Sequence, residues 1–380
     1  MALDPERVAF VSLALTPGIG WARMRALLDR CETANGALRA PFEFLCTIPG
    51  ISRAAATAIV ERGSREGRKA LLAARTMGAC CILRGDPEFP VALREIPDSP
   101  PLLFAMGELS LLERPAVAIV GSRDHSDYGA SICQSAATAA ATAGIAVVSG
   151  MARGLDALAH LAALDAAGPT IGILGNGLGV VYPAANRALY RRVVEHGLLL
   201  TEFPPGERPG VGAFPRRNRL ISALARVTLV IEAAEASGTL ITVGTALAQG
   251  KDVMALPGPI TSPTSAGTNR LIRDGAEPYL GVDDLLAHYP ETADGVVERL
   301  ELPAKGAAET VPVPDDLDGD ERAVFLAVVS AARPLDGLIA ELSLGTSRTL
   351  SAISRLELAG LVVMMGSSVA RCRAPVRAGS

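Results

Sequence analysis

Six short apolar runs, at residues 117–120, 145–148, 170–174, 198–201, 227–231 and 253–256, set the tightest limit on what this chain can fold into. They are rich in β-branched residues, bounded by Gly or Pro, and spaced by about one crossover unit. Runs that are apolar throughout suit strands covered on both faces, so the pattern predicts a doubly wound, mainly parallel sheet with helical crossovers. Ligands of such sheets gather beyond the carboxyl ends of the strands. The residues that follow each run are therefore the first place to look for function.

After the first run comes Gly121-Ser122-Arg123. A glycine lets the backbone approach a ligand, the next amides face outward at a helix start, and an arginine adds a two-pronged donor suited to phosphate. An ordinary strand-to-helix turn with a surface arginine is the other reading of the same residues. The second run leads into Ser149-Gly150-Met151-Ala152-Arg153 and a helix carrying Asp156 and His160 on one face. With 4 histidines in the chain and no third ligand nearby, that pair reads as structural hydrogen bonding rather than as a metal or acid–base couple. Gly175-Asn176-Gly177-Leu178-Gly179 departs from a dinucleotide fingerprint, because its third glycine comes early and a Pro-bounded strand-like piece follows. Residues 244–251 have the wrong spacing for a P-loop and end on Asp252 where Ser or Thr would hold magnesium.

The richest cluster is Phe214-Pro215-Arg216-Arg217-Asn218-Arg219, where arginines, an amide and an aromatic ring fit phosphate clamping plus stacking on a base. A solvated basic turn is its bland alternative. Ser237 reads as the N-cap of a helix opening at Gly238 and Thr239, whose free amides make a second anion seat. No nucleophile–base couple, metal constellation or cofactor motif accompanies these seats. The expectation is therefore binding rather than catalysis, with no catalytic residues, no metal and no cofactor.

The two ends of the chain differ from this middle. Leu15-Thr16-Pro17-Gly18-Ile19-Gly20 runs into one helical stretch and Ile48-Pro49-Gly50-Ile51-Ser52 into another, 32 positions on. The repeat resembles a tandem helix-hairpin-helix module, whose hairpin amides grip phosphates without reading sequence; a helical bundle with tight Pro-Gly turns is the alternative. Beyond residue 290 the chain turns rich in Ala, Glu, Asp and Pro, as in a flexible acidic linker over 291–317. Helical periods at 321–331, 334–342 and 347–359, then a hairpin at 360–373, make a winged-helix pattern. Its third helix offers Arg348 and Arg355 against Glu357, which fits a DNA reader and a protein-binding module equally.

The net charge of −4 conceals local basic regions: residues 1–75 carry 11 basic and 7 acidic side chains, while residues 291–321 carry 2 and 10. An acidic total therefore does not exclude nucleic acid. Six cysteines without a C-x-x-C pair read as reduced thiols. Asp4, Glu6 and Arg7 precede any apolar run, so no signal peptide is expected. The uncharged stretch near 128–152 is built of Ala, Ser, Thr and Gly, which suits a buried helix and strand rather than a membrane span. A cytoplasmic protein with no membrane partner is the expectation.

Gly121-Ser122-Arg123, the segment 149–160, Tyr182-Pro183 with Asn186, the segment 214–222, the segment 237–242, Pro257-Gly258 and Gly267-Thr268-Asn269 occur in the order seen in DNA-processing protein A. On these motifs the chain resembles the DprA/Smf family over about residues 80–285. The resemblance implies a Rossmann-like domain that forms a homodimer, binds single-stranded DNA, protects incoming DNA and helps load the RecA recombinase in natural transformation. It places phosphate roles on Gly121, Ser122 and Arg123, basic contacts on Arg153 and Arg217, and pocket roles on Phe214, Asn218 and Arg219. With the strand-end reading, the DNA-binding set also takes Gly150, Arg216, Ser237, Gly238 and Thr239. Gly179 and Met151 depart from the family's usual acid and Leu. Three domains and a linker are expected: a small all-α unit at 1–75, the DNA-binding unit at 80–290, the acidic linker at 291–317, and a winged-helix-like unit at 318–375. Arg123, Arg153, Arg217 and Arg219 are expected to converge at the carboxyl edge of the sheet. Two other classes remain in view: a nucleotide-processing enzyme of a related Rossmann-like fold that cleaves nucleoside monophosphates, against which the missing Pro-Gly-Gly loop counts, and a protein-binding scaffold.

Overall fold

The computed structural model describes residues 3–235, 237–292, 317–328, 333–342, 344–359, 361–365 and 368–371. Its contacts divide the chain into two units, 1–300 and 301–380. The proposed linker at 291–317 falls almost wholly outside the described residues.

The first unit begins with six helices: α1 (Pro5–Ala14), α2 (Trp21–Cys31), α3 (Ala34–Arg39), α4 (Phe42–Cys46), α5 (Arg53–Arg62) and α6 (Arg65–Thr76). Asp4 caps α1 by accepting the amides of Glu6 and Arg7, and Ser52 caps α5 by accepting that of Ala55 at 3.2 Å. Leu13, Met24, Leu27, Leu45, Ile48 and Ile59 are buried between these helices. The outer faces of α1 and α6 carry a second set: Val8, Val11, Leu71 and Ala74 pack on Cys81, Leu102 and Phe104 of the sheet that follows, and on Leu189 beyond it. At about 1.5–3 kcal/mol for each large apolar side chain buried, this contact joins helices and sheet in one core.

The sheet has nine strands in the order β1-β2-β6-β5-β4-β3-β7-β8-β9. The chain lays down β1 (Cys80–Leu83), α7 (Val91–Glu95) and β2 (Leu102–Gly107) first. The alternating part follows: β3 (Ala116–Val120), α8 (Asp127–Thr142), β4 (Ala146–Ser149), α9 (Leu155–Asp165), β5 (Thr170–Ile173), α10 (Arg187–His196), β6 (Leu198–Thr201), α11 (Ala213–Leu224), β7 (Val227–Val230), α12 (Thr239–Ala248) and β8 (Asp252–Ala255). It closes with α13 (Ala266–Arg273), β9 (Glu277–Pro278) and α14 (Val282–Leu286). All six anticipated runs are strands, and those six pair in parallel. The antiparallel pair β1–β2, docked on β6, and the two-residue edge β9 were not anticipated. The result is a doubly wound, Rossmann-like α/β sheet.

Burial explains the strand pattern. Every residue of β3, β4, β5, β6 and β7 is buried, because helices cover both faces. On one face α8 and α9 pack through Ala136, Ala137, Ala140, Ala159 and Ala163, all fully buried, and their small side chains bring the two helices close. From β3 the chain steps through β4 and β5 to β6 on one side, then returns to β7 and β8 on the other. The loops after β3 and β7 therefore part, and a crevice opens between them at the carboxyl ends of the strands.

The second unit is a winged-helix arrangement: α15 (Gly319–Ala327), β10 (Arg333–Pro334), α16 (Leu335–Leu342), α17 (Thr346–Leu358) and the hairpin β11 (Val362–Met365) with β12 (Ser368–Arg371), in the sheet order β10-β12-β11. Asp318 and Glu321 form a capping box at the start of α15. Arg348 and Arg355 do not stand free on the third helix: Arg348 pairs with Asp320 at 2.6 Å, and Arg355 with Asp318 and Glu321 at 3.1 and 2.9 Å.

Candidate nucleic-acid interface

Strand ends supply the backbone of the site, and α11 supplies its buried arginine, an aromatic ring and an amide. On α11, Phe214, Arg217, Asn218 and Ile221 fall at i, i+3, i+4 and i+7, so they share a face, and all four line the crevice beyond β3 and β7. Arg217 is 4 % exposed and lies across the ends of β4 and β5, donating Nη1 to the carbonyls of Gly150 and Ile173. Gly150 has to be glycine for this: a Cβ there would stand 2.5 Å from the Arg217 guanidinium. Burial pushes the pKa of Arg217 down to about 10, with Asp156 working against the shift and Arg123 adding to it, so the side chain is cationic at neutral pH. Asp156, also buried, is pushed upward by desolvation and held back by Arg217.

Around this buried cation the surface is cationic and aromatic. Arg123 and Arg217 each place their guanidinium carbon 6.0 Å from the centre of the Phe214 ring. The Tyr182 ring lies 5.5 Å from Phe214 at an interplanar angle of 32°. Arg153 is exposed and, among the described residues, pairs with the outer Asp124 carboxylate alone, at 3.4 Å, a surface contact of small energetic weight. Arg123, Arg153, Arg217, Gly150, Tyr182 and Phe214 thus wall one pocket. The adjoining crevice, which shares Arg123, Phe214 and Arg217 with it, is lined by Gly121, Ser122, Asn218, Ser237, Gly238 and Thr239. Gly154 lets the loops meet: it has φ of 81°, and a Cβ there would stand 2.6 Å from the carbonyl oxygens of Ser122 and Arg123.

Several expectations need correction. Arg219 does not join the other three arginines: it turns to the opposite side of α11 and is tied at 2.7 Å to Glu202 and 2.9 Å to Asp98. Arg216 shares that carboxylate at 2.8 Å, and both residues line a groove beside the first hairpin of the helical segment instead. Ser237 does not cap α12, whose N-cap is Gly238; its Oγ accepts the amide of Thr239 at 3.2 Å one position early. The seat at the start of α8 is already filled, because the Glu232 carboxylate accepts from the Ser126 amide at 3.0 Å and from its hydroxyl at 2.5 Å. Ser122 spends its hydroxyl on the Asp124 carbonyl at 2.8 Å.

Asp156 and His160 do not pair with each other: Asp156 accepts from the Ala152 amide at 3.4 Å, while His160 uses Nδ1 and its buried Nε2 has no partner among the described residues. Thr170 donates its hydroxyl to the Val147 carbonyl at 2.9 Å, so at the 2.7 Å contact with His160 it must accept from Nδ1–H. Burial lowers the His160 pKa to about 3. Asn186 was part of a motif without a role; it braces the pocket loop by donating to the carbonyls of Met151 and Ala152 at 2.9 and 3.1 Å. Among the described residues no group of three His, Cys, Asp or Glu could hold a metal, and no helix is long and apolar enough to cross a membrane.

The family described as DNA recombination-mediator protein A matches residues 80–290, the whole sheet region with its strand-end crevice. The chain belongs to that family. The winged helix domain of DprA matches residues 307–366. Protein Smf of Synechocystis is 34% identical over 302 residues, covering 73% of this chain and 76% of the relative. The DNA processing protein DprA of Streptococcus pneumoniae is 43% identical over 204 residues, covering 54% of this chain and 72% of the relative. The X-ray structure of DprA from Streptococcus pneumoniae superposes with a TM-score of 0.64 at 33% identity, over 76% of this chain and 98% of that one. A structure of DNA processing protein A from Helicobacter pylori, described by its single-stranded DNA binding mode, gives 0.52 at 28% identity, over 56% of this chain and 96% of that one.

Proposed function

We propose that this member of the DNA recombination-mediator protein A family binds single-stranded DNA in the strand-end crevice, in DNA processing for transformation and recombination. One observation carries the reading: three arginines, Arg123, Arg153 and Arg217, meet two aromatic rings, Phe214 and Tyr182, in one pocket at the carboxyl ends of the strands. Arginines suit the phosphate backbone and the rings suit a base face, the combination that single strands require. The solved relative from Helicobacter pylori, with its single-stranded DNA binding mode, supports the same assignment. Gly121, Ser122, Asn218, Ser237, Gly238 and Thr239 belong to the crevice beside the pocket and are assigned to the path of the strand. The role is that of a binding protein rather than an enzyme. Protection of the strand, transfer to the RecA recombinase, a homodimeric state and a cytoplasmic location complete the proposal and rest on family membership.

The test is a salt titration of oligonucleotide binding. Wild-type affinity falls with salt at a slope of roughly −0.7 per phosphate contacted on a single strand. Arg123→Ala with Arg153→Ala weakens binding to all sequences and flattens that slope, because phosphate contacts carry no base information. Silence of this pair, with the fold intact, would remove the crevice as the DNA site.

A further inference from the structure

The arginines that α11 turns away from the crevice leave a polar network unfinished. Arg216 and Arg219 line a groove of 690 Å³ between the first hairpin of the helical segment and the residues leading into β2. Glu202, whose side chain is 2 % exposed, accepts from both arginines through Oε2, at 2.8 and 2.7 Å. Its other oxygen, Oε1, has no donor among the described residues. Arg219, 10 % exposed, spends Nη2 on Glu202 and Nε on Asp98 at 2.9 Å, and among the described residues its Nη1 has no acceptor. One buried acceptor and one buried donor thus stand unfilled beside the same Oε2–Nη2 contact. Empty groups of this kind are costly, so a ligand that fills both supplies what the free chain lacks.

The unfilled pair defines what fits. A full charge does not: the groove sets Asp98, Glu202 and Glu207 against Arg23, Arg216 and Arg219, so a cation meets arginine beside its carboxylate and an anion meets the reverse. A neutral group with one N–H and one oxygen is required. A trans peptide bond points these two in opposite directions, whereas a carboxamide holds both at one carbon and can reach both atoms of the pair. Asn and Gln side chains carry that group. Beyond the pair the groove is lined by Pro17, Pro97, Pro204, Trp21 and Phe203, rigid apolar surface that suits the main chain on either side of such a residue. Both unfilled atoms are closed to solvent, but their neighbours Asp98 and Arg216 are 63 % and 54 % exposed, so side-chain rotation can open the way.

We propose that this groove docks a partner protein through a glutamine or asparagine side chain, whose N–H meets Glu202 Oε1 and whose oxygen meets Arg219 Nη1. The groove lies on the opposite side of α11 from the crevice, and its assignment does not rest on the DNA reading. The two sites can be filled together.

Trp21 lines the groove and is the single tryptophan of the chain, so its fluorescence reports on the site. Titration of the full chain with the peptide acetyl-Gly-Gln-Gly-amide gives a saturable change in that emission. Peptides with Glu or Met in place of Gln bind roughly tenfold or more weakly, since one brings a carboxylate to Glu202 and the other offers no hydrogen bond. Glu202→Gln keeps the shape but turns its amide oxygen to the two arginines and its N–H groups to the ligand. Peptide binding then falls by a similar factor while oligo(dT) affinity, read by anisotropy, is kept. Arg123→Ala does the reverse, so failure of the crevice reading and failure of the groove are told apart. If Glu202→Gln does not fold, the three peptides on the wild type decide alone. No saturable change, equal binding of the three peptides, unchanged peptide affinity in a folded Glu202→Gln, or free glutamine binding as tightly as the peptide would each overturn the proposal.

Discussion

Arg217 differs from Arg123 and Arg153 in carrying its charge inside the protein, and replacing it with methionine isolates that difference. Methionine fills much of the same space but withdraws the donor from the Gly150 and Ile173 carbonyls and leaves Asp156 without its facing cation. Hydrogen bonds from a charged donor are worth about 1.5–3 kcal/mol each, and leaving a buried charge uncompensated costs about 3–5 kcal/mol. These overlap rather than add, so Arg217→Met should lose about 3–5 kcal/mol of a total near 5–15 kcal/mol. The loss should depend on pH. The folded pKa of Asp156 is already raised by burial, and Arg217 is the charge that restrains it. A carboxyl raised in the folded state stabilises fully below its unfolded pKa of about 4 and loses that contribution as pH rises through the folded value. The deficit of Arg217→Met is therefore larger near about pH 8 than near about pH 5, and adding Asp156→Asn recovers part of it at the higher pH. Urea titrations of the full chain followed by far-ultraviolet circular dichroism measure this. A deficit below about 1 kcal/mol, or one independent of pH and untouched by Asp156→Asn, would refute the reasoning.

Phe214→Ala removes a stacking face, so it costs about 1–3 kcal/mol of single-strand affinity in oligonucleotide titrations while the salt slope stays as in the wild type. Arg219→Ala leaves that affinity unchanged and lowers stability by about 1–3 kcal/mol, because it unties Asp98 and one of the two donors on Glu202; denaturation beside binding separates the two effects. His160, with a folded pKa of about 3 against an unfolded value near about 6.5, binds its proton first in the unfolded chain. Stability therefore falls by about 1.4 kcal/mol per unit as pH drops below about 6.5, and His160→Asn flattens that part of a stability–pH profile.

The sheet was legible because five of its six central strands are buried in every residue and the sixth, β8, in all but its first. The β1–β2 pair was not. Its second strand, Leu102–Gly107, follows Pro97, Pro100 and Pro101 and looks like the tail of a loop, and antiparallel partners leave no crossover spacing to read. The edge β9 spans only Glu277 and Pro278, too short for any period to register. In the site, Arg123, Arg153, Arg217 and Phe214 fell where strand-end reasoning put them, in one pocket. Arg219 did not, because its arginines were grouped by adjacency in sequence; read as part of a helix from Ala213, the 3.6-residue period already separates Arg216 and Arg219 from Phe214, Arg217 and Asn218. Glu232 filling the start of α8 could not be foreseen, since its partner Ser126 lies 106 positions away.

The apolar face that α1 and α6 share with the sheet also bears on how such a chain can change over generations. A segment joined by a tether alone can be gained, lost or exchanged in one step without altering its neighbour. These helices cannot, because Cys81, Leu102, Phe104 and Leu189 would then face water. A descendant that sheds them must replace those four side chains with polar ones, or cover them with something else. A polar residue at these positions in a sibling sequence thus marks a lineage in which the helices have departed, even before its first eighty residues are read.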